Sequence, residues 1–392
     1  MAKRQQALRF TSIRLTNWRN FRDAEMRLEK RAFITGPNAS GKSNLLDAIR
    51  FLRDIAKPTG GLAAALTEFG RNGLTGVRSL HARDPSHLEF QVDVGNDDAT
   101  RRWTYVLRIS RVGREKDATV IGEIVQRDGV LVAHQSRDAT AADPLLFSQT
   151  LMEQVQKNGA FRELVEFFNS IRYLHVVPQI VRDGRRALAV GDDPHGGDLL
   201  RRIKDTPRKM REPRLKRIQE AVALAIPQFE SLELVDDADG RPHLQAGYKH
   251  WRGRAAKQSE EVFSDGTLRL IGFLWSISEP GGPLLLEEPE LSLHEAVVGK
   301  LPAMIARSQS LSGRQVICTT HSEALLSAPG VAPKEVHRLV VGRDGSTVET
   351  VSDNPKSMAQ IREGGLTIGQ AVLPLTMPET VNQLADVKLV PG

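Results

Sequence analysis

The chain has 392 residues, 40% of them hydrophobic and 26% charged, a balance close to that of ordinary globular proteins, which argues against fibrous and disordered classes. Its formal charge of +6 permits contact with a polyanion without requiring it. No run of eighteen apolar residues occurs, and Lys3, Arg4 and Arg9 break up the first segment, so neither a membrane span nor a leader peptide is expected and the cytoplasm is the expected compartment.

Residues 8–35 read as short strands, with Ile13, Leu15, Phe21, Met26 and Leu28 spaced for partial burial, and Ala32-Phe33-Ile34 enters a glycine-containing loop. Ser43 to Ala56 carries Leu45, Leu46, Ile49, Phe51 and Leu52 at helical spacing and stops before Pro58. Alternating runs between 86 and 134, such as Trp103-Thr104-Tyr105-Val106-Leu107, predict an antiparallel β lobe. The spacing then predicts a helix over 147–170 and a strand over 171–177 that ends at Pro178. Residues 198–229 read as a proline-interrupted helical stretch. From Val262 a helix returns, followed by apolar strands at 284–286 and 315–319. Cys318, the single cysteine, sits in the last of these and reads as a small buried thiol.

Four short motifs carry chemistry. Gly36-Pro37-Asn38-Ala39-Ser40-Gly41-Lys42-Ser43 lies between an apolar strand and an amphipathic helix, which is the context a phosphate-binding P-loop needs. Glycines let backbone N–H groups turn inward, and the helix N-terminus beginning near Asn44 adds partial positive charge. Lys42 then reaches the β- and γ-phosphates of ATP and the Ser43 hydroxyl ligates Mg²⁺. Leu284-Leu285-Leu286-Glu287-Glu288-Pro289-Glu290 is an apolar strand that delivers carboxylates at its carboxyl end. It resembles a Walker B motif, with Glu287 where Asp is commonest; Glu287 would hold Mg²⁺, directly or through water, and Glu288 would orient or deprotonate the attacking water. Phe263-Ser264-Asp265-Gly266-Thr267 opens a helix 24 residues before Glu288, with Ser264 or Asp265 as N-cap. It resembles the signature motif of ABC ATPases. Cys318-Thr319-Thr320-His321 ends another apolar strand, and His321 looks like the switch histidine that contacts the γ-phosphate.

By these motifs the chain resembles the ABC-ATPase superfamily, in the non-transporter branch that holds RecF, SMC proteins and the ATPase halves of OLD-family nucleases, and specifically its stand-alone bacterial predicted ATPases. The resemblance implies an α/β fold, a P-loop NTPase of the ABC-type head class, with a parallel-sheet core, an antiparallel β lobe and a helical insertion. It divides the chain into an N-terminal ATPase lobe over 1–180, a basic insertion over 181–260 and a C-terminal ATPase lobe over 261–392. It also implies a dimer, or a higher assembly, in which two heads enclose two ATP molecules and Ser264 and Gly266 act on the γ-phosphate held by the other copy. Arg19, in Asn17-Trp18-Arg19-Asn20-Phe21, matches an early strand motif whose basic residue approaches nucleotide. Gln179 is either a Q-loop glutamine or a surface residue, and Ser292-Leu293-His294 occupies the D-loop position without the usual Asp.

The basic residues Arg201, Arg202, Lys204, Arg208, Lys209, Arg211, Arg214, Lys216 and Arg217 either track a phosphate backbone or form a solvated arm, since Asp205, Glu212 and two prolines dilute them. Two functions are therefore expected to compete: an ATPase that engages double-stranded DNA in repair or phage defence, and an ATP-dependent switch that assembles with a partner effector protein. A transporter subunit fits less well. A self-contained nuclease is not expected, because the 71 residues after His321 carry few clustered acids.

Overall fold

The structure is a computed structural model and describes residues 7–111, 118–137, 147–183, 193–249, 256–378 and 380–387. Lys3, Arg4 and parts of the segment 181–260 lie outside the described residues. The chain forms two compact units, Met1–Ile171 with Pro329–Gly392, and Arg172–Ala328.

The first unit begins with β1 (Arg9–Trp18), β2 (Phe21–Arg27) and β3 (Arg31–Thr35), then α1 (Lys42–Ala56), α2 (Leu62–Thr67) and α3 (Gly73–Val77). Four further strands follow, β4 (Leu88–Gly95), β5 (Trp103–Ser110), β6 (Thr119–Arg127) and β7 (Val130–Ser136), and then α4 (Arg162–Asn169). The expected β lobe is part of a larger antiparallel sheet of order β2-β1-β4-β5-β6-β7, because the alternating apolar residues of β1 pair with those of β4, Ile13 opposite Val92 and Leu15 opposite Phe90. Trp18 and Phe90 of this sheet pack on Phe51 of α1, with ring centroids 5.3 and 5.1 Å from it.

The helix expected over 147–170 exists only over Arg162–Asn169. Upstream, side chains take the backbone donors and acceptors a helix would use: Glu153 accepts from Thr150 N–H, Asn158 Nδ2 donates to Met152 O (2.8 Å), and Leu151 N–H donates to Glu123 (2.7 Å).

The second unit runs through β8 (Arg172–Leu174), α5 (Pro178–Val181), α6 (Leu199–Asp205), α7 (Arg208–Ala225), β9 (Phe229–Asp236), β10 (Pro242–Tyr248) and β11 (Ala256–Ser259). It continues with α8 (Asp265–Ser278), β12 (Leu284–Glu287), α9 (Glu295–Val298), α10 (Leu301–Ser312), β13 (Val316–Thr319) and α11 (Glu323–Leu326). Strands β9, β10 and β11 form a small antiparallel sheet. Strands β8, β12 and β13 are parallel, and the continuous apolar runs of β12 and β13 are buried, as parallel strands covered on two faces require.

The chain then returns to the first unit with β14 (Val336–Gly342), β15 (Gly345–Thr350), α12 (Pro355–Arg362) and α13 (Ile368–Val372). Strand β14 lies parallel to β3, Val336 opposite Phe33, and antiparallel to β15. Among the described residues no helix is long and apolar enough to cross a membrane.

Candidate active site

In the first unit, β3 is buried along almost its whole length and delivers the loop Gly36–Gly41 to the start of α1. A Cβ on Gly36 would fall 2.8 Å from Ser40 Oγ and 2.9 Å from Leu339 Cβ, so the wall admits no side chain. Gly41 holds φ of 102°, in the left-handed region, and caps the helix. Lys42 is buried, and its Nζ donates to Gly36 O (3.2 Å) and Pro37 O (3.0 Å), which folds the ammonium back over the loop. Pro37 is half-buried, Asn38, Ala39 and Ser43 are exposed, and Ser40 is buried with its Oγ lacking a hydrogen-bond partner among the described residues.

Arg19 lies beside this loop. Its guanidinium bonds Asn44 Oδ1 (3.3 Å) and Asp47 Oδ2 (3.0 Å), while Asn44 Nδ2 donates to Asn20 Oδ1 and Trp18 Nε1 donates to Asn44 O (2.8 Å). Asp47 also accepts from Arg50 (2.6 Å) and Arg71 (2.8 Å), and Arg71 reaches on to Asp54 (2.7 Å). Burial alone would raise the Asp47 carboxyl, but Arg71, Arg50 and Arg19 hold it below the usual range. Burial lowers Arg19 against the pull of Asp47. Motif reading missed Asp47, Asp54 and Arg71; the helical spacing that puts Asp47 and Asp54 seven residues apart on α1 was a visible signal, and the arginine that joins them was not.

In the second unit, parallel register sets Glu287 beside Thr319. Glu287 accepts a hydrogen bond on Oε2 from the Tyr173 hydroxyl. Glu288 takes φ of 43°, and its N–H donates to Thr319 O (3.1 Å) and Oγ1 (3.2 Å), which turns its side chain out of the strand. Its Oε1 stands 3.4 Å from His321 Nε2. Glu290 is buried and accepts from Thr320 Oγ1 (2.6 Å) and His321 N–H (2.9 Å); burial raises its carboxyl above the ordinary range despite those bonds. Glu290 thus fixes the turn that carries His321.

Ser264 is the N-cap of α8 and accepts from Thr267 N–H (3.2 Å), in accord with the expected helix start, and Asp265 accepts from Arg182 (2.7 Å). A Cβ on Gly266 would meet Ser292 O at 2.5 Å, and Ser292 itself has φ of 62°, so this turn can lie against α8 only where residue 266 is glycine. His294 caps α9 through Nδ1, 3.1 Å from Ala296 N, a structural task. Gln179 is exposed on the short helix α5. Arg269, four residues after Asp265 on α8, was not anticipated; burial lowers its pKa while the charges of Asp265, Glu288 and Glu290 oppose that shift. Among the described residues no group of three or more His, Cys, Asp or Glu side chains forms a metal cage by itself.

The basic stretch is partly spent inside the unit. Arg202 pairs with Glu279 (3.6 Å), Lys204 with Asp236 (2.9 Å) and Arg208 with Glu212, and Arg214 stacks 4.7 Å over Trp275 of α8. Lys209, Lys216 and Arg217 stand exposed on α7.

The chain is similar to several known proteins. The family model described as "AAA domain, putative AbiEii toxin, Type IV TA system" matches residues 31–327. The DNA replication and repair protein RecF of Corynebacterium jeikeium (strain K411) is 24% identical over 334 residues, covering 77% of this chain and 71% of that protein. Among solved structures, an SmcHead bound to the C-terminal winged-helix domain of ScpA matches with a TM-score of 0.51 and 15% identity, over 87% of this chain and 96% of that one. An Smc head domain from Pyrococcus furiosus, with an extended coiled coil and bound to the C-terminal domain of ScpA, matches with a TM-score of 0.51 and 14% identity, over 91% of this chain and 100% of that one. At these identities the likeness is one of fold.

Proposed function

Because the chain belongs to the AAA-domain family, within the RecF and SMC branch of the ABC ATPases, we propose that it binds ATP with Mg²⁺ and hydrolyses it as one head of an ATP-closed dimer, with closure coupled to DNA engagement in repair or phage defence. The observation that carries the hydrolytic part is the pairing of Glu288 with His321, 3.4 Å apart at the ends of two parallel strands. A carboxylate turned out of a strand by a left-handed backbone, next to an imidazole, is equipped to take a proton from water and to sense a phosphate oxygen.

The loop Gly36–Gly41 fits a polyphosphate, since its two glycine walls exclude side chains and the buried Ser40 hydroxyl lacks a partner among the described residues. In this reading Lys42 and the backbone N–H groups of residues 38–44 bind the β- and γ-phosphates. The Ser43 hydroxyl and the Glu287 carboxylate would hold Mg²⁺, which when bound would neutralise phosphate charge. Glu288 removes a proton from the water that attacks the γ-phosphorus, and ADP and inorganic phosphate leave. Arg19, anchored by Asp47, lends positive charge beside Asn44. Ser264 and Gly266 act on the nucleotide of the second copy. The functional segments 1–180, 181–260 and 261–392 belong to the same reading.

The role in DNA replication and repair named for the RecF relative and the exposed Lys209, Lys216 and Arg217 support DNA as the partner. A second reading, an ATP-dependent switch that assembles with a partner effector protein, is supported by the family's toxin–antitoxin description and by the Smc heads solved with ScpA domains. The test is the steady-state ATPase rate with and without double-stranded DNA, at low and near-physiological salt, with Glu288→Gln as blank. Stimulation that weakens as salt rises is the expected result. A rate indifferent to DNA favours the effector switch.

A further inference from the structure

A glutamate in the place of the commoner aspartate has one more rotatable bond, and so more freedom to lose before its carboxylate can hold a metal ion in one position. One side chain of the neighbouring segment removes that freedom, and a second holds the backbone beneath it. Strand β8 runs parallel to β12, with Tyr173 opposite Leu285, and the Tyr173 hydroxyl donates to Glu287 Oε2. Two residues on, His175 Nδ1 stands 3.3 Å from Glu287 O, and because a carbonyl only accepts, the imidazole carries its proton on Nδ1. The backbone of this stretch is itself held, with His175 N–H bonded to Pro194 O (2.8 Å) and Val177 N–H to His195 O (3.0 Å). Glu287 is thus gripped at its carboxylate by one residue and at its carbonyl by another, both from a segment with no recognisable ATPase motif.

We propose that Tyr173 is a positioning residue for Mg²⁺: its hydroxyl engages Oε2 and fixes the rotamer from which the Glu287 carboxylate would hold the metal. This rests on the assignment of Glu287 to Mg²⁺ made above. An O–H donor to a carboxylate is a strong, directional bond, and partners that orient a metal ligand in this way commonly change metal affinity by roughly ten- to a hundred-fold when removed. His175 holds the backbone from which that carboxylate projects.

The experiment titrates Mg²⁺ into the full chain with a fluorescent ATP analogue and reads nucleotide binding, with EDTA as reference. Tyr173→Phe should bind the analogue like wild type in EDTA, which also reports an intact fold, while its half-saturating Mg²⁺ rises roughly ten-fold. In the Glu287→Asp background, where the shorter carboxylate falls away from Tyr173, adding Tyr173→Phe should change nothing further. Two results overturn the positioning role: an unchanged half-saturating Mg²⁺ in Tyr173→Phe while Glu287→Gln raises it, or an equal effect of Tyr173→Phe in the wild-type and Glu287→Asp backgrounds. If Glu287→Gln itself leaves the Mg²⁺ dependence unmoved, the assignment of Glu287 to the metal fails, and the role of Tyr173 falls with it.

Discussion

The two units handle charge in opposite ways. In the first, the residues behind the phosphate loop are sunk in the interior: Asp47 is shared by Arg19, Arg50 and Arg71, and the Arg71 side chain is fully buried. In the second, Glu288 and His321 keep 26% and 39% of their side-chain surface exposed, and Glu288 is tied down through its backbone. Buried ion pairs are expensive to form and more expensive to break by halves, whereas half-exposed groups at strand ends can change with little structural penalty. Binding chemistry is therefore welded into stability on one side and separable from it on the other.

The largest effect should fall where stability is least involved. Glu288→Gln is expected to lower the ATPase rate by roughly 10²- to 10⁴-fold, the usual worth of a positioned base, while leaving the melting temperature and ATP binding close to wild type. A steady-state rate beside a thermal melt checks both halves. Asp47→Ala should do the reverse: it leaves three guanidinium groups without their shared carboxylate and should cost about 3–5 kcal/mol in denaturant unfolding. A variant as stable as wild type would break the contrast between the units.

Lys42→Ala lies between these. On the proposed reading it loses the charge-assisted bonds Lys42 would make to phosphate, which should weaken ATP by about 3 kcal/mol, roughly a hundred-fold, as measured by equilibrium binding. Some loss of stability should accompany it, since Lys42 is itself buried.

The smallest effect is a pH dependence in the β lobe. Glu123 is buried among Tyr105 Oη, Gln135 Nε2 and the Leu151 N–H, and burial pushes its carboxyl up from 4.5 to about 7. The folded state then holds this proton to higher pH than the unfolded state. Its contribution is fully present below about pH 4.5 and is lost as the pH rises to about 7, at most on the order of 3 kcal/mol. Glu123→Gln should remove that fall, which is read as the difference between the unfolding free energies of the two proteins from pH 5 to 8.

How much of this was legible beforehand follows the range of the interactions. The strand–loop–helix passage through residues 31–56, the cap at Ser264 and the apolar strands β12 and β13 depend on residues within a few positions, and local pattern was enough to place them. The helix over 147–170 was overextended because Glu123 acts on Leu151 from outside the window of any local pattern, while Glu153, inside it, spends its carboxylate on the Thr150 and Leu62 N–H groups. Asn17-Trp18-Arg19 read as a motif, but its anchor at Asp47 and the Arg71 behind it are joined only by folding. Tyr173 looked like one more strand residue until parallel register set it beside β12.

The return of the chain into the first unit bears on how the protein comes to exist at all. Strand β3, which leads into the phosphate loop, pairs with a strand about 300 residues later in synthesis, and Leu339, which walls Gly36, arrives with it. Such a contact closes slowly, because the entropic cost of a loop must be met before its contacts repay it. On the ribosome, the first of the four motifs to be made therefore acquires its final walls among the last, after the whole second unit has emerged.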